Sequence, residues 1–155
     1  EAQLLYGTKG DVGDGEYTTP IGVAEVKRVG RDVTIVAYSK MLLLALEAAD
    51  QLRGEGIEVE VIDPRTLKPL DLPTIVTSVK KTGRLVIVEE GWRFCGLGAQ
   101  IAESVYAAAF DYLDAPIQRV TGEDVPMPYS RPLEDAAIPD KERVIEAVKA
   151  LCGAH

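Results

Sequence analysis

From residue 32 onward, the sequence alternates short β-branched runs with longer segments of helical periodicity. Four of these runs, bounded by polar or glycine residues, are DVTIVAYS, IEVEVID, RLVIVEE and APIQRVTG. Such short apolar runs are typical of strands that are covered on both faces. Strands that alternate with helices predict a mostly parallel sheet with helices on both sides. The expected fold class is therefore α/β, a three-layer α/β/α domain.

Each predicted helix has one apolar face and recognisable ends. The apolar positions are Leu42, Ala45, Ala49 and Leu52 in the first helix, Ile101, Val105, Ala108 and Tyr112 in the third, and Val144, Ile145, Val148 and Leu151 in the last. Asp71 is expected to cap the second helix, with Pro73 in its first turn, where a missing N–H costs nothing. Pro139 is expected to open the last helix, and Gly153 to end it.

The run GVAEVKRVG, at residues 22–30, suits an edge strand because Lys27 and Arg28 would face water. The short VGRD turn joins this strand to the next, and a connection of that length predicts an antiparallel pair of neighbours. The sheet is then mixed, with five strands, one of them an antiparallel edge strand. Residues 1–20 are rich in Gly, Asp and Thr and predict a linker, so the domain is expected to cover residues 21–155.

Charge and residue types exclude several classes of function. The 155 residues carry a net charge of −8, whereas a nucleic-acid or anionic-membrane surface needs a basic patch. A charged partner of this chain should therefore be basic. Cys95 and Cys152 fit neither a metal-ligand spacing nor a disulfide framework. The single histidine, His155, is the last residue, which leaves Ser-His, Cys-His and histidine-rich metal chemistry without a credible base or ligand.

Ligands of open α/β sheets usually bind at the carboxyl ends of the strands, and several candidate residues fall there. Gly96 and Gly98 precede a helix N-terminus that could hold a phosphate, but the glycines do not match GxGxxG, so a sharp turn with close helix packing is preferred. Glu89 and Glu90 could form an acid/base pair, yet neighbours in a strand point to opposite faces, so a strand end at solvent or an interface is preferred. A weak candidate for a phosphate pocket comprises Lys40, Arg65 and Lys68.

Other residues suggest contact with a partner rather than chemistry. Trp92, the only tryptophan, lies in a loop of small residues, where it is either an interface aromatic or part of the core. Asp114 follows a helix C-terminus, where the macrodipole disfavours an anion, so it serves either a partner or a simple turn. The segment RVTGEDVPMPYSRPLE carries three prolines that fix φ. It is predicted to be a rigid, irregular strip that lies against another surface through Met127 and Tyr129.

Five segments of the chain together carry a family resemblance. They are YTTPIGVAEVKRVGRDVTIVAYS, EVIDPRTLKPLD, KKTGRLVIVEEGW, LDAPIQRVTGEDVPMPYS and LEDAAIPDKERVIEAVK. Nearly the whole chain, about residues 17–151, resembles the C-terminal domain of the β subunit of the thiamine-diphosphate-dependent 2-oxo acid dehydrogenases. VPMPYS is similar to the pyruvate dehydrogenase branch rather than the branched-chain or acetoin branches. The resemblance implies a transketolase C-terminal-type fold with a five-stranded mixed sheet.

The resemblance also implies what the domain does and does not do. The parent enzyme decarboxylates pyruvate oxidatively and transfers the acetyl group to a lipoyl arm. Thiamine diphosphate, with Mg, binds between the α subunit and the N-terminal half of the β subunit. No catalytic, cofactor-binding or metal-ligating residue is therefore assigned in this chain, which is expected to be inactive by itself. The expected location is the bacterial cytoplasm or the mitochondrial matrix.

The implied partners are the α subunit, a second β subunit and the peripheral-subunit-binding domain of the dihydrolipoyl acyltransferase. The acidic residue of the LDAP turn, Asp114, is expected to contact that small basic domain, and the net charge of −8 suits such a partner. Trp92, Met127 and Tyr129 are expected at subunit interfaces. The alternative, from another functional class, is a free-standing α/β domain that binds a small ligand or phosphate at the turn of Gly96 and Gly98.

Overall fold

A computed structural model of the chain describes residues 9–11 and 13–153. The strands in this part are β1 Glu25–Arg28, β2 Val33–Ala37, β3 Val59–Asp63, β4 Leu85–Trp92 and β5 Gln118–Gly122. The helices are α1 Lys40–Gly54, α2 Leu72–Thr82, α3 Leu97–Ala109, α4 Arg131–Ala137 and α5 Lys141–Cys152, with a 3-10 turn at Phe110–Tyr112. None of these helices combines the length and the hydrophobicity that crossing a membrane requires.

The predicted linker and domain boundary fall partly outside the described residues, as does His155. Residues 9–11 and 13–20 contain no helix or strand. The boundary near residue 20 stays a prediction.

The five described strands form one sheet in the order β1-β3-β2-β4-β5. Four of them run parallel, with β2 between β3 and β4, and with β5 beside β4. β1 pairs antiparallel with β3 at the opposite edge from β5. The predicted five-stranded mixed sheet with one antiparallel edge strand is therefore confirmed.

The predicted neighbour of the edge strand was wrong, because β1 pairs with β3 and not with β2. The turn between β1 and β2 crosses the start of β3, where the backbone N–H groups of Arg31 and Asp32 both donate to the Glu58 carbonyl at 3.0 Å. Gly30 allows this crossing, since a Cβ there would collide with the backbone of Val59. The chain thus passes over one strand before it enters the sheet as β2.

Helices cover both faces of the sheet, as expected of three layers. α1 and α5 pack on one face around Ile35, Val61 and Val88, and α2 and α3 pack on the other face around Ile62 and Ile87. In a parallel sheet buried in this way, alternate residues of each strand feed two separate cores. The helices leave the carboxyl and amino ends of the strands uncovered. These two ends of the sheet, called here the carboxyl edge and the amino edge, hold the candidate sites.

The predicted apolar faces of α1 and α5 are confirmed, except that Leu42 is only half-buried. The prediction for α3 was wrong at two positions, Ala108 and Tyr112, which are exposed. Ala109 is buried instead, since it continues the four-residue spacing of Ile101 and Val105. The backbone then tightens into the 3-10 turn, which shifts the phase of the stripe and turns Tyr112 to the surface.

The helix ends show one confirmed cap and one missed helix. The Asp71 carboxylate accepts the Thr74 N–H at 3.2 Å, and it also accepts the Ala24 N–H at 2.9 Å from the chain before β1. The last helix is capped by Asp140 rather than opened by Pro139, and it ends at Gly153 as predicted. α4 was not predicted, because prolines favour extended chain at the residues before them, whereas Pro132 lies in the first turn of that helix.

Candidate functional site

The structure divides the predicted contact residues between the two open edges of the sheet. Trp92 ends β4 and pairs with Gly122, and Met127 and Tyr129 follow β5, so these three lie at the carboxyl edge. Asp114 precedes β5 and donates its N–H to the Gly83 carbonyl just before β4, at the amino edge. Because β4 has eight residues, the two edges are separated by roughly 26 Å of strand. The residues therefore form two surfaces, not one site.

The first surface, called here the carboxyl-edge surface, is a group of exposed apolar side chains. Its members, with their exposed fractions, are Trp92 at 51%, Phe94 at 76%, Met127 at 47%, Tyr129 at 106% and Leu133 at 59%. Single exposed apolar residues are ordinary, whereas several at one end of a domain make that end a candidate contact surface. The structure thus places Trp92 outside the core, and its role at a subunit interface stays a prediction.

The chain between β5 and α4, residues 123–130, carries Met127 and Tyr129 and packs on α4. This segment is called the strip from here on. Val125, Pro126, Pro128 and Leu133 line a shallow groove there, with a volume of about 360 Å³. The backbone N–H of Glu123 donates to the Ala137 carbonyl at 2.8 Å, which fastens the start of the strip to the end of α4. The strip is therefore held in place while its largest side chains point to solvent.

A buried ion pair lies directly under the carboxyl-edge surface. The Glu89 carboxylate is 1% exposed and accepts from Arg119 Nη2 at 2.7 Å. It also accepts the Gly98 N–H at 3.0 Å and the Tyr38 hydroxyl at 3.2 Å. The preferred interpretation of Glu89 as a strand end at solvent or an interface was wrong, because its side chain points into the domain and is fully paired. Glu90, on the opposite face, is half-buried.

The two glycines of the proposed phosphate turn make room for this pair. A Cβ on Gly98 would lie 2.5 Å from Glu89 Oε1, and one on Gly96 would lie 2.7 Å from the same atom. The N-terminus of α3 therefore already holds an anion, the Glu89 carboxylate, where a phosphate would need to bind. Close helix packing, the preferred interpretation of these glycines, is what the structure shows.

The Glu89 carboxylate also changes the acidity of its neighbour. Burial, together with repulsion from Glu89 and the hydrogen bond to it, raises the pKa of Tyr38 to about 12. The phenol therefore stays protonated and donates to Glu89 throughout the ordinary pH range. Such a tyrosine is a structural donor rather than a proton-transfer group.

The second surface, called here the amino-edge surface, surrounds Asp114. Tyr106, Phe110, Leu113 and Pro116 line a shallow cavity of about 290 Å³ beside it. The rings of Tyr106 and Phe110 lie 6.2 Å apart, and Phe110 is 66% exposed. An exposed carboxylate beside aromatic rings can bind a cationic side chain through both charge and ring faces.

Gly83 fixes where the Asp114 carboxylate lies. It ends α2 with φ of 69°, and a Cβ added to it would collide with the carboxylate of Asp114. The side chain of Asp114 therefore occupies space that only a glycine leaves open. Sequence reasoning could not find this contact, because the two residues are joined only by the packing of α2 against the turn before β5.

The basic residues proposed as a weak phosphate pocket have other roles where the structure shows them. Arg65 Nη2 pairs with Glu25 Oε2 at 2.9 Å, across the β1 edge of the sheet. Lys40 and Lys68 are exposed at the start of α1 and in the loop before α2. The Arg65 guanidinium is therefore already engaged by a carboxylate, which weakens the phosphate interpretation.

A further polar group, missed by sequence reasoning, lies between β1 and α2. Glu60 is buried and pairs with Lys81, and its carboxylate also accepts the Gly30 N–H at 3.3 Å. Burial opposes the ionisation of Glu60, but hydrogen bonds from Lys81, Ser78 and Gly30 outweigh it and lower the pKa of the carboxyl. The pair lines a groove of about 490 Å³ together with Val26 and Val29. Because Glu60 and Lys81 satisfy each other, we assign this pair a structural role.

Comparison with known proteins matches this fold and sequence to one family. The family described as "Transketolase, C-terminal domain" matches residues 22–144. The "Pyruvate dehydrogenase E1 component subunit beta" of Rickettsia bellii is 52% identical over 152 residues, which cover 98% of this chain and 47% of that protein. The mitochondrial subunit beta of Dictyostelium discoideum is 50% identical over 153 residues, which cover 96% of this chain and 43% of that protein. The chain thus spans about half the length of the curated relatives it matches.

Solved structures agree with the sequence comparisons. A split-gene transketolase, described as an inactive beta4 tetramer, superposes with a TM-score of 0.76 at 32% identity, covering 94% of this chain and 46% of that chain. A 2-oxoglutarate:ferredoxin oxidoreductase from Magnetococcus marinus superposes with a TM-score of 0.54 over 84% of this chain and 20% of that chain. Its identity is only 15%, so it supports the fold alone.

Proposed function

Because the chain belongs to the transketolase C-terminal domain family, we propose that it is the assembly and docking domain of a pyruvate dehydrogenase E1 β subunit. The observation that carries this proposal is sequence similarity to such subunits along 98% of the chain. The parent reaction is the oxidative decarboxylation of pyruvate, with transfer of the acetyl group to a lipoyl arm. The relatives are bacterial and mitochondrial proteins, which supports the bacterial cytoplasm or the mitochondrial matrix as the compartment.

Thiamine diphosphate and its magnesium ion belong, in this proposal, to the rest of the parent enzyme. One observation supports placing the cofactor outside this chain. The Glu89 carboxylate occupies the α3 N-terminus, where a diphosphate group would otherwise bind. The same filled N-terminus weighs against the alternative function, a free-standing phosphate-binding domain.

The carboxyl-edge surface is proposed to contact the α subunit or the second β subunit. Its support is the exposure of Met127 and Tyr129 on a strip whose backbone is fastened to α4. Aromatic and methionine side chains in such positions are enriched at protein interfaces, and burying them supplies binding free energy. The split-gene transketolase relative, described as a tetramer, is consistent with a domain of this fold in subunit assembly.

The amino-edge surface is proposed to dock the peripheral-subunit-binding domain of the acyltransferase. Asp114 offers a carboxylate, and the neighbouring rings offer apolar and π contacts to a lysine or arginine of the partner. The net charge of −8 would speed and orient the approach of a basic domain. The two proposed contacts lie at opposite edges of the sheet, so one domain could make both at once.

Substitutions at the carboxyl-edge surface test the assembly role. We expect the double variant Met127→Ala and Tyr129→Ala, made in the full-length β subunit and mixed with the α subunit, to weaken formation of the full complex of α and β subunits in analytical ultracentrifugation, including the pairing of the two β subunits. Substitutions of exposed residues usually change folding stability by no more than about 0.5 kcal/mol, so lost assembly would not reflect unfolding. Tyr112→Ala, at the amino edge, is the matched control. Unchanged assembly of the double variant would refute the proposed contact.

A further inference from the structure

We infer that Arg119 positions the loop that presents Trp92 and Phe94, and thereby sets the shape of the carboxyl-edge surface. Arg119 Nη2 donates to Glu89 Oε1 at 2.7 Å and to the Arg93 carbonyl at 2.9 Å. Arg93 Nη1 donates back to the Arg119 carbonyl at 3.1 Å. One nitrogen of Arg119 therefore joins the buried carboxylate to the backbone of the loop.

The loop is also wrapped closely around the guanidinium. A Cβ on Gly96 would lie 2.9 Å from Arg119 Nη2, and one on Gly98 would lie 3.1 Å from Arg119 Nε. The Arg119 side chain is 13% exposed as a result. A Cβ on Gly96 would also collide with the Trp92 carbonyl, so the loop closes back on the residue where it starts. The conformation of the loop and the burial of the ion pair are therefore linked.

Arginine is the residue whose length places a donor nitrogen between the Glu89 carboxylate and the Arg93 carbonyl. Its guanidinium is a rigid, planar group with several donors, whereas a lysine ammonium is a flexible point charge. The lysine nitrogen lies one bond closer to Cβ than Nη2 does, so in the same conformation lysine would keep a positive charge near Glu89 but would not reach the Arg93 carbonyl. Within the loop, Cys95 has φ of 55°, a conformation that non-glycine residues adopt only where the surroundings hold them. Arg119 holds the backbone two residues before Cys95, at the Arg93 carbonyl.

The part of this inference that concerns partner binding rests on the proposed function of the carboxyl-edge surface, whereas the positioning of the loop does not. Trp92 and Phe94 carry a large share of the exposed aromatic area at this edge. If their backbone is released, a partner must order the loop again when it binds, which weakens binding. Arg119 would then affect assembly without touching the partner.

The single tryptophan of the chain reports on the loop directly. We expect Arg119→Lys to increase acrylamide quenching of Trp92 fluorescence and to lower its anisotropy, at a temperature where circular dichroism shows a folded domain. Since Trp92 is already 51% exposed, complete release can raise the accessible fraction, and hence quenching, by at most about twofold. A smaller rise is expected for Arg93→Ala, which removes only the returning hydrogen bond of an exposed side chain.

The matched control is Lys81→Met, which breaks the other buried carboxylate pair far from the loop. It should lower the melting temperature and leave Trp92 quenching unchanged. The inference is overturned if quenching is unchanged in the Arg variants, or if Lys81→Met raises it equally. If Arg119→Lys fails to fold, the double variant Glu89→Gln and Arg119→Met decides the question, because it leaves no unpaired buried charge and still lacks the contact to the Arg93 carbonyl. If Trp92 responds while subunit assembly does not, the positioning role stands and the proposed contact at this surface fails.

Discussion

Replacing Gly98 with alanine should destabilise the domain, although alanine is the better helix former. Gly98 lies in the first turn of α3, where alanine should by propensity gain about 0.5–1 kcal/mol. The added Cβ, however, would lie 2.5 Å from Glu89 Oε1 and 3.1 Å from Arg119 Nε. Both groups are buried and hydrogen-bonded, so neither can move without losing a partner.

The size of the destabilisation follows from how far the Glu89 and Arg119 side chains must move. Forcing a methyl group into a packed site costs about 1–3 kcal/mol, and separating a buried ion pair costs about 3–5 kcal/mol. Partial displacement of Glu89 lies between these limits, so we expect a net loss of about 2–4 kcal/mol in the free energy of unfolding. Gly54→Ala is the matched control, because Gly54 also lies in a helix and a Cβ there meets no atom within 4 Å.

Urea unfolding followed by circular dichroism measures both variants. Gly98→Ala should lower the transition midpoint with an unchanged m-value, while Gly54→Ala should be neutral or slightly stabilising. If Gly98→Ala were as harmless as Gly54→Ala, the glycine would not be making room for the Glu89 pair. The packing account of the Gly96 and Gly98 turn would then be wrong, and a vacant anion site would have to be reconsidered.

Two further predictions concern Tyr38, which donates to Glu89, and Gly83, which faces Asp114. The pKa of Tyr38 is raised to about 12, so its contribution to the free energy of unfolding is complete below the pKa of about 10 that it has in the unfolded chain. That contribution is lost as the pH rises from about 10 toward 12. In thermal melts over this pH range, the melting temperature of Tyr38→Phe should therefore fall less than that of the wild type. Gly83→Ala should destabilise by about 0.5–1.5 kcal/mol more than Gly153→Ala, since both place alanine at positive φ but only at Gly83 must the exposed Asp114 side chain leave its rotamer. The double variant with Asp114→Ala should remove that difference, and a difference that persists would count against the contact.

Features that depend only on residues close together in the sequence were predictable. The β-branched runs gave the parallel strands, the spacing of Ala45, Ala49 and Leu52 gave the buried face of α1, and Asp71 was a recognisable cap. These signals arise from backbone periodicity and local hydrogen bonds, which a single sequence carries explicitly. The partner of β1 was not predictable in this way, since the crossing at Gly30 depends on β3, which comes later in the chain.

The ion pair beneath the carboxyl-edge surface was also beyond local pattern. Glu89 and Arg119 are 30 residues apart and meet only because β4 and β5 are neighbours in the sheet. Their sequence signal was indirect, a pair of glycines before a helix, and it resembled a phosphate turn. Exposure of Met127 and Tyr129 was anticipated from the proline-rich segment, whereas the sequence left Trp92 open between core and interface. The separation of these residues from Asp114 required the topology.

The docking role of the domain is tested most directly by isothermal titration with the acyltransferase's peripheral-subunit-binding domain. We expect the wild-type chain to bind and Asp114→Asn to bind at least about tenfold more weakly, a loss of about 1.4 kcal/mol. Asp111→Asn, which removes the same charge from the adjacent 3-10 turn, should bind nearly as wild type does. Equal affinities for the two variants, or no binding by the wild-type chain, would contradict the assignment of the amino-edge surface as the docking site.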